Sequence, residues 1–136
     1  MGGEMTDLQR IVAELEIRNL LARYCHHYDQ GRADDYCDLF VKDGEFHVPG
    51  ITAESRDQIR EKIAAGIVGA SPAQHVTYNT VIEIVSADSA KGWSDFMYVE
   101  AGSNEAIHVV GRYLDDFVLR DGRWMFQRRL VEFVGT

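Results

Sequence analysis

The sequence predicts an α+β domain in which helices come first and an antiparallel sheet comes second. In the first half, apolar residues recur at about 3.6-residue spacing, the period of a helix. From Ala73 onward the spacing falls to about two, the period of a strand. Helices followed by a run of strands are typical of the α+β class. With 136 residues, 46% of them hydrophobic, the chain is long enough for one domain with a single core, over residues 1–136.

The first helix is expected over residues 6–28. Thr6 or Asp7 can cap it, because a side-chain oxygen there accepts a hydrogen bond from a free backbone N–H group. Gly31 is a natural terminator. The stripe expected to face the core comprises Leu8, Ile11, Val12, Leu15, Leu21, Ala22, Cys25 and Tyr28.

Shorter elements are expected between this helix and the sheet. A second helix is predicted over residues 33–40, a strand over 45–48 and a third helix over 55–68. Ser55 and Gln58 have the spacing of a capping box at the start of the third helix.

Four strands make up the rest of the chain, separated by turn signals. The strand before the last turn and the one after it flank Asp121-Gly122, a strong hairpin signal. In the first of the four, a single alternation would set Val76, Tyr78, Ile82 and Ile84 on one face and His75, Thr77, Asn79 and Glu83 on the other. The predicted strands are 74–85, 90–101, 107–120 and 123–134.

Charge and cysteine content argue against several classes of protein. The formal net charge is −8 and the arginines are scattered, so nucleic-acid and anionic-membrane partners are not expected. Cys25 and Cys37 form no Cys-x-x-Cys motif, which favours a reducing, cytoplasmic compartment. The chain has neither a signal-peptide pattern nor an apolar run of about 18 residues, so we expect no membrane segment.

No cofactor or metal is expected either. The sequence contains no phosphate-binding loop, dinucleotide fingerprint or nucleophile elbow. His26 and His27 precede Asp29 closely, but neighbouring residues on a helix point about 100° apart and cannot easily bind one ion.

Two residues are candidates for an acid–base pair. Asp29 lies at the end of the first helix, where a carboxylate is unfavourable unless something compensates. His75 begins the first strand of the sheet. A carboxylate that orients an imidazole makes a general base near neutral pH, provided that the two meet in a pocket. The alternative is an exposed acid at a helix end and a solvent-facing histidine.

Three segments together resemble the SnoaL-like branch of the nuclear-transport-factor-2-like superfamily. They are residues 17–24 with Tyr28-Asp29, Leu39-Phe40 and Asp43-Gly44; Gln74-His75 leading into 81–84; and 113–115 leading into 121–124. The resemblance implies a cone-shaped barrel, in which a curved, mixed sheet packs on three N-terminal helices and encloses a deep apolar pocket. Members include scytalone dehydratase, bile-acid 7α-dehydratase, hexachlorocyclohexane dehydrochlorinase and polyketide cyclases. In the first three, an Asp–His pair removes a proton while a leaving group departs.

The resemblance also implies roles for individual residues. It sets Asp29 at the position of the family's acid and His75 at that of its base. Tyr24 and Tyr28 match tyrosines that assist an oxygen as it leaves or enolises. The residues implied for substrate binding are Arg129, which can hold an anionic leaving group, Asn79, which can orient the substrate, and Phe46, which replaces a pocket tryptophan.

The function expected is that of a cofactor-independent lyase, most simply a dehydratase, acting on a small, largely apolar cyclic or polyketide-like substrate. One alternative is an isomerase or cyclase, like ketosteroid isomerase or a polyketide cyclase, with the same base. Another is a non-catalytic ligand-binding or assembly module. A homo-oligomer, dimer or trimer, is also expected, because an exposed sheet face would carry Trp93, Phe96, Tyr98 and Tyr113.

Overall fold

The fold is a six-stranded mixed sheet that curves around three helices. A computed structural model describes residues 4–102 and 107–135. The helices are α1 (Asp7–Asp29), α2 (Ala33–Cys37) and α3 (Arg56–Lys62), and the strands are β1 (Phe40–Val48), β2 (Ile51–Ala53), β3 (Ala73–Ser86), β4 (Ser89–Glu100), β5 (Ile107–Arg120) and β6 (Arg123–Phe133). The strand order is β2-β1-β6-β5-β4-β3, and only β1 and β6 are parallel neighbours. The α+β prediction is confirmed, although the sheet does not close, because β2 and β3 remain as its edges.

Helix α1 begins and ends close to where the sequence predicts. The Thr6 hydroxyl accepts from the Gln9 backbone N–H at 3.1 Å, and the Gln9 side chain accepts from the Thr6 N–H at 2.8 Å. The predicted apolar stripe is wrong in the first turns, where Leu8, Ile11, Val12 and Leu15 are exposed. The stripe that reaches the core starts later on the helix, with Ala13, Ile17, Leu20, Leu21 and Tyr24.

The middle of the chain contains more strand and less helix than expected. Helix α2 ends at Cys37, and the chain turns directly into β1. Helix α3 ends at Lys62 and continues only as a 3₁₀ turn at Ala64–Gly66. Strand β2 was not predicted, because three residues are too few to show an alternating pattern.

Strand β3 contains a β-bulge that changes which residues face inward. Its register against β4 shifts between Tyr78 and Val81, and Asn79 adopts a positive φ of 52°. Before the bulge His75 and Thr77 face inward, whereas after it Ile82 and Ile84 do, packing against the core. The single alternation predicted for this strand is therefore wrong, because one extra residue reverses the faces of all later residues in the strand.

The concave face of the sheet carries three of the four aromatic residues that the sequence placed on an exposed face. Phe96 and Tyr113 are buried, and Tyr98 is half-buried on the same side. Trp93 alone of the four points outward and is 39% exposed. Within residues 4–102 and 107–135, no helix is both long enough and apolar enough to cross a membrane.

Candidate functional site

A cavity of about 420 Å³ opens between the concave face of the sheet and the helices. Its polar groups are few, and aromatic side chains from both layers make up much of its wall. They are Tyr24, Tyr28, Phe46, Phe96, Tyr98, Tyr113 and Phe133. A mostly apolar cavity of this size with a few convergent polar groups is the usual form of a small-molecule site.

His75 lines this cavity and contacts Asp29, which is not itself a lining residue. The end of α1 supplies Asp29 and the edge strand β3 supplies His75. The Asp29 Oδ1 atom lies 2.6 Å from His75 Nδ1, and Oδ2 accepts the His75 backbone N–H at 2.9 Å. The two side chains are 14% and 10% exposed. Because an ionised carboxylate only accepts hydrogen bonds, Nδ1 carries the hydrogen in this contact, and the neutral form of the imidazole would have its lone pair at Nε2.

Three tyrosine rings surround the imidazole. The ring centroids of Tyr28, Tyr98 and Tyr24 lie 4.6, 4.9 and 6.1 Å from that of His75, all at steep angles to it. Tyr98 is the residue directly opposite His75 across the β3–β4 pair. Asp29 fixes one edge of the imidazole and these rings limit its rotation, so the His75 ring is held in one orientation.

Tyr24 is the more deeply buried of the two tyrosines predicted for the site. It lines the cavity, yet only 2% of it is exposed, and its hydroxyl accepts a hydrogen bond from Tyr36 at 3.2 Å. Burial raises the pKa of Tyr24 to about 12, although Arg129 and Tyr36 oppose that rise. The hydroxyl is therefore protonated at neutral pH and can act as a hydrogen-bond donor.

Arg129 lies beneath the aromatic wall, outside the cavity lining. Its guanidinium is fully buried and binds Asp115 through two hydrogen bonds, of 2.8 and 3.1 Å. The Arg129 Cζ atom lies 3.4 Å from the centroid of Tyr113 and 4.3 Å from that of Tyr24. Burial alone would lower the pKa of Arg129, but Asp115 raises it above its usual value, so the group stays charged. A charge so enclosed acts on the cavity through the two tyrosines it touches.

The two remaining candidate residues differ in where they lie. Phe46 is buried and lines the cavity, as the sequence suggested. Asn79 does not reach the cavity, because the β3 bulge turns it outward, where its amide donates to Asp95 at 3.0 Å. The prediction that Asn79 is a substrate-binding residue of this cavity is therefore wrong.

Three residues of the site were missed from the sequence: Tyr36, Tyr98 and Asp115. Asp115 lies two residues from both Tyr113 and Phe117 on β5. Alternate residues of a strand share a face, so this spacing indicates an inward position. Tyr98 could have been found by pairing β3 with β4. Tyr36 lies on a single-turn helix and carries no such signal.

The described residues contain no group of three or more His, Cys, Asp or Glu side chains arranged to hold a metal ion. Cys25 is near the site, with its sulfur 3.4 Å from the Thr77 hydroxyl. Burial raises the pKa of its thiol, which therefore stays protonated at neutral pH.

Comparison with known proteins agrees with this architecture. The model of the SnoaL-like domain family matches residues 9–130. The chain is 23% identical to gamma-hexachlorocyclohexane dehydrochlorinase from Sphingobium indicum over 129 residues, which cover 92% of this chain and 83% of that protein.

Solved structures share the fold. A candidate scytalone dehydratase from Novosphingobium aromaticivorans superposes with a TM-score of 0.85 at 28% identity, over 96% of this chain and 89% of that one. A protein of unknown function with a cystatin-like fold, from Nostoc punctiforme, gives a TM-score of 0.84 at 22% identity, over 98% and 97% of the two chains. On the family match over most of its length, the chain belongs to the SnoaL-like domain family.

Proposed function

We propose that this protein is a cofactor-independent lyase that eliminates water, or another small leaving group, from a largely apolar cyclic substrate. The contact of Asp29 with His75, a residue of the cavity wall, carries this proposal. Two relatives named for eliminations, the dehydrochlorinase and the candidate dehydratase, support the reaction class.

The proposed reaction begins with proton removal. His75 Nε2 takes a proton from a substrate carbon, most easily one next to a carbonyl group. The imidazolium that forms is stabilised by Asp29 through its Nδ1–H. The electron pair left on carbon forms the new double bond, while the bond from the neighbouring carbon to the leaving group breaks and its electron pair departs with that group. A tyrosine hydroxyl donates a hydrogen bond to the oxygen that gains charge.

The cavity wall favours an apolar substrate. Among the described lining residues, the ionisable ones other than tyrosine are His75 and Lys62. Lys62 donates from Nζ to the Thr52 carbonyl oxygen at 2.7 Å and is exposed. Most of the substrate would therefore contact rings and aliphatic side chains, with its reactive carbon at His75.

The test is a screen of cyclic hydroxy-ketones and small cyclic alcohols for elimination, followed by mass spectrometry and ultraviolet absorbance. His75→Ala should lose on the order of 10²–10⁴-fold in rate. His26→Ala is the matched control, since His26 is exposed on α1 and absent from the cavity wall. Equal turnover by His75→Ala and the wild type would refute the mechanism.

An isomerase is the second candidate, because Tyr24 lies beside His75 and can hold an enolate oxygen while the base returns the proton elsewhere. The same screen separates the two reactions: isomerisation conserves the mass of the substrate, and dehydration lowers it by one water. Tight binding without any turnover would favour a ligand-binding module.

We further propose that the outer face of the sheet associates with a second copy of the chain. An apolar row crosses four strands in register there: Val81, Trp93, Leu114 and Leu130. The next row, Asp95, Arg112 and Glu132, carries both signs of charge, so a copy related by a two-fold axis can pair acid with base. Trp93→Lys should yield a monomer in sedimentation velocity, and Leu15→Lys, on the exposed side of α1, should not.

A further inference from the structure

We propose that Tyr36 is a positioning residue that fixes the Tyr24 hydroxyl as the donor to the leaving oxygen. The two tyrosines would then form one acid unit beside the base His75. This inference rests on the proposed elimination, but it concerns a different half of the reaction from the one that His75 performs.

The position of Tyr36 is tightly constrained. It is fully buried on α2, and rings surround it on several sides. The centroids of Tyr24, Tyr28 and Phe40 lie 5.0, 5.6 and 5.7 Å from its own. Its hydroxyl donates to the Tyr24 oxygen at 3.2 Å. Because a phenol has one hydrogen to donate, the Tyr36 hydrogen is committed to Tyr24.

This contact determines what the Tyr24 hydroxyl can do. Its oxygen accepts from Tyr36, so its own hydrogen must point elsewhere. Among the residues that the structure describes, no acceptor takes that hydrogen, and Tyr24 lines the cavity. The available partner is therefore a ligand in the cavity.

Tyr36 also helps Tyr24 to give up its proton. A phenolate at Tyr24 would accept the Tyr36 hydrogen bond and would have the Arg129 cation 4.3 Å from its ring centroid. Both groups lower the pKa of Tyr24 against the effect of burial. Tyr36 thus stabilises the ionised form of Tyr24 without touching the substrate.

For a β-hydroxy ketone, the proposed step conserves atoms and electrons. The C–H bond breaks, its proton goes to His75 Nε2 and its electron pair becomes the carbon–carbon double bond. The C–O bond breaks, and the leaving oxygen takes the Tyr24 proton and departs as water. The Tyr24 phenolate then recovers a proton from the His75 imidazolium, through that water or directly. One substrate gives one alkene and one water, and both residues return to their starting forms.

The experiment compares two ligands that differ in one charge. 4-Nitrophenol, at a pH where it is ionised, mimics the oxyanion that accepts from Tyr24, whereas 4-nitroanisole has the same ring without a charged oxygen. We expect Tyr36→Phe to weaken binding of the phenolate about tenfold and to leave binding of the anisole within twofold. Tyr24→Phe should show the same selective loss, and Tyr78→Phe, a tyrosine on the outer side of β3, should show none.

A second measurement reads the tyrosine pair without any ligand. In protein labelled with carbon-13 at the tyrosine Cζ position, the Tyr24 signal should shift at neutral pH in Tyr36→Phe, because the Tyr24 oxygen no longer accepts that hydrogen bond. Equal loss of both ligands in Tyr36→Phe, or an unchanged phenolate affinity, would overturn the proposal. His75→Ala separates it from the elimination itself, since that variant should lose turnover and keep the preference for the phenolate.

Discussion

Asp29 holds His75 at two points, because one carboxylate oxygen contacts the imidazole Nδ1 and the other accepts the backbone N–H of the same residue. The second bond ties the end of α1 to the edge strand β3. It also compensates a carboxylate placed at the negative end of a helix dipole. Asp29 thus fixes the orientation of His75 through its main chain as well as through its ring.

Replacing Asp29 with Asn should separate these two functions. The amide oxygen can still accept the His75 N–H, so the fold should persist, but it cannot stabilise an imidazolium by charge. We expect kcat to fall on the order of 10²–10⁴-fold with little change in substrate affinity. Steady-state kinetics on the substrate from the screen, with ligand affinity measured by calorimetry, checks this. A variant that loses affinity but keeps kcat would contradict the assignment.

The buried pair Arg129–Asp115 should be important for stability. Both side chains are almost fully buried, so removing one leaves an uncompensated charge. Arg129→Met should lower the free energy of unfolding by about 3–5 kcal/mol, and Arg129→Met with Asp115→Leu should cost less than the single change. Arg18→Met, which breaks the exposed pair with Glu14, should cost no more than about 1 kcal/mol. Urea unfolding measures all three, and a double variant less stable than the single one would argue against a penalty for the unpaired charge.

Two glycines should respond oppositely to alanine. A Cβ on Gly111 would collide with the Phe96 ring and lie 2.6 Å from the Glu132 carbonyl oxygen. Gly111→Ala should therefore destabilise the protein by about 1–3 kcal/mol. A Cβ on Gly66 meets nothing within 4 Å, and Gly66→Ala should stabilise by about 0.4–1 kcal/mol, since the unfolded chain loses freedom. Thermal unfolding of both variants checks the signs, and equal shifts would mean that the close approach at Gly111 is unimportant.

Alkaline pH should unfold the protein through its buried tyrosines. Burial raises the pKa of Tyr24 to about 12 and that of Tyr36 and Tyr113 well above 10. Between pH 10 and these values, the unfolded chain has lost protons that the native state retains, so the free energy of unfolding falls as pH rises. The slope should reach about 1.4 kcal/mol per pH unit for each tyrosine. Urea unfolding at several pH values above 10 measures it, and Tyr36→Phe should have a shallower slope than the wild type.

The sequence predicts the strands well because four long alternating runs are divided by clear turn residues. Asp121 and Gly122 both adopt positive φ, as their hairpin pattern requires. Asp29 and His75 stand out because an acid at a helix end and a histidine at a strand start are unusual in those places. The pocket position of Phe46 was implied by the family resemblance, and its burial at the cavity wall agrees with it.

Bulges are the features that sequence periodicity fails to reveal. Counting back from the Asp121-Gly122 turn pairs Asp115 with Arg128. The structure instead pairs it with Arg129, because an extra residue enters β6 at Gln127. The same kind of irregularity in β3 turns Asn79 outward. An inserted residue leaves no mark in composition or spacing, so periodicity alone does not identify the inward arginine, which the family resemblance supplied, or the face of Asn79, which requires the structure.

The bulge in β3 has a mechanical consequence for the edge of the sheet. An edge strand with one uninterrupted alternation can slide by two residues along its neighbour and still present apolar groups to the core. In β3, odd-numbered residues face inward before the bulge and even-numbered residues face inward after it. A shift of β3 by two residues that still buries Ile82 and Ile84 would move the bulge away from the point where β4 accommodates it. The bulge therefore favours one register of β3 on β4. His75, four residues before the bulge, is therefore anchored along the strand axis even though it lies at the rim of the sheet.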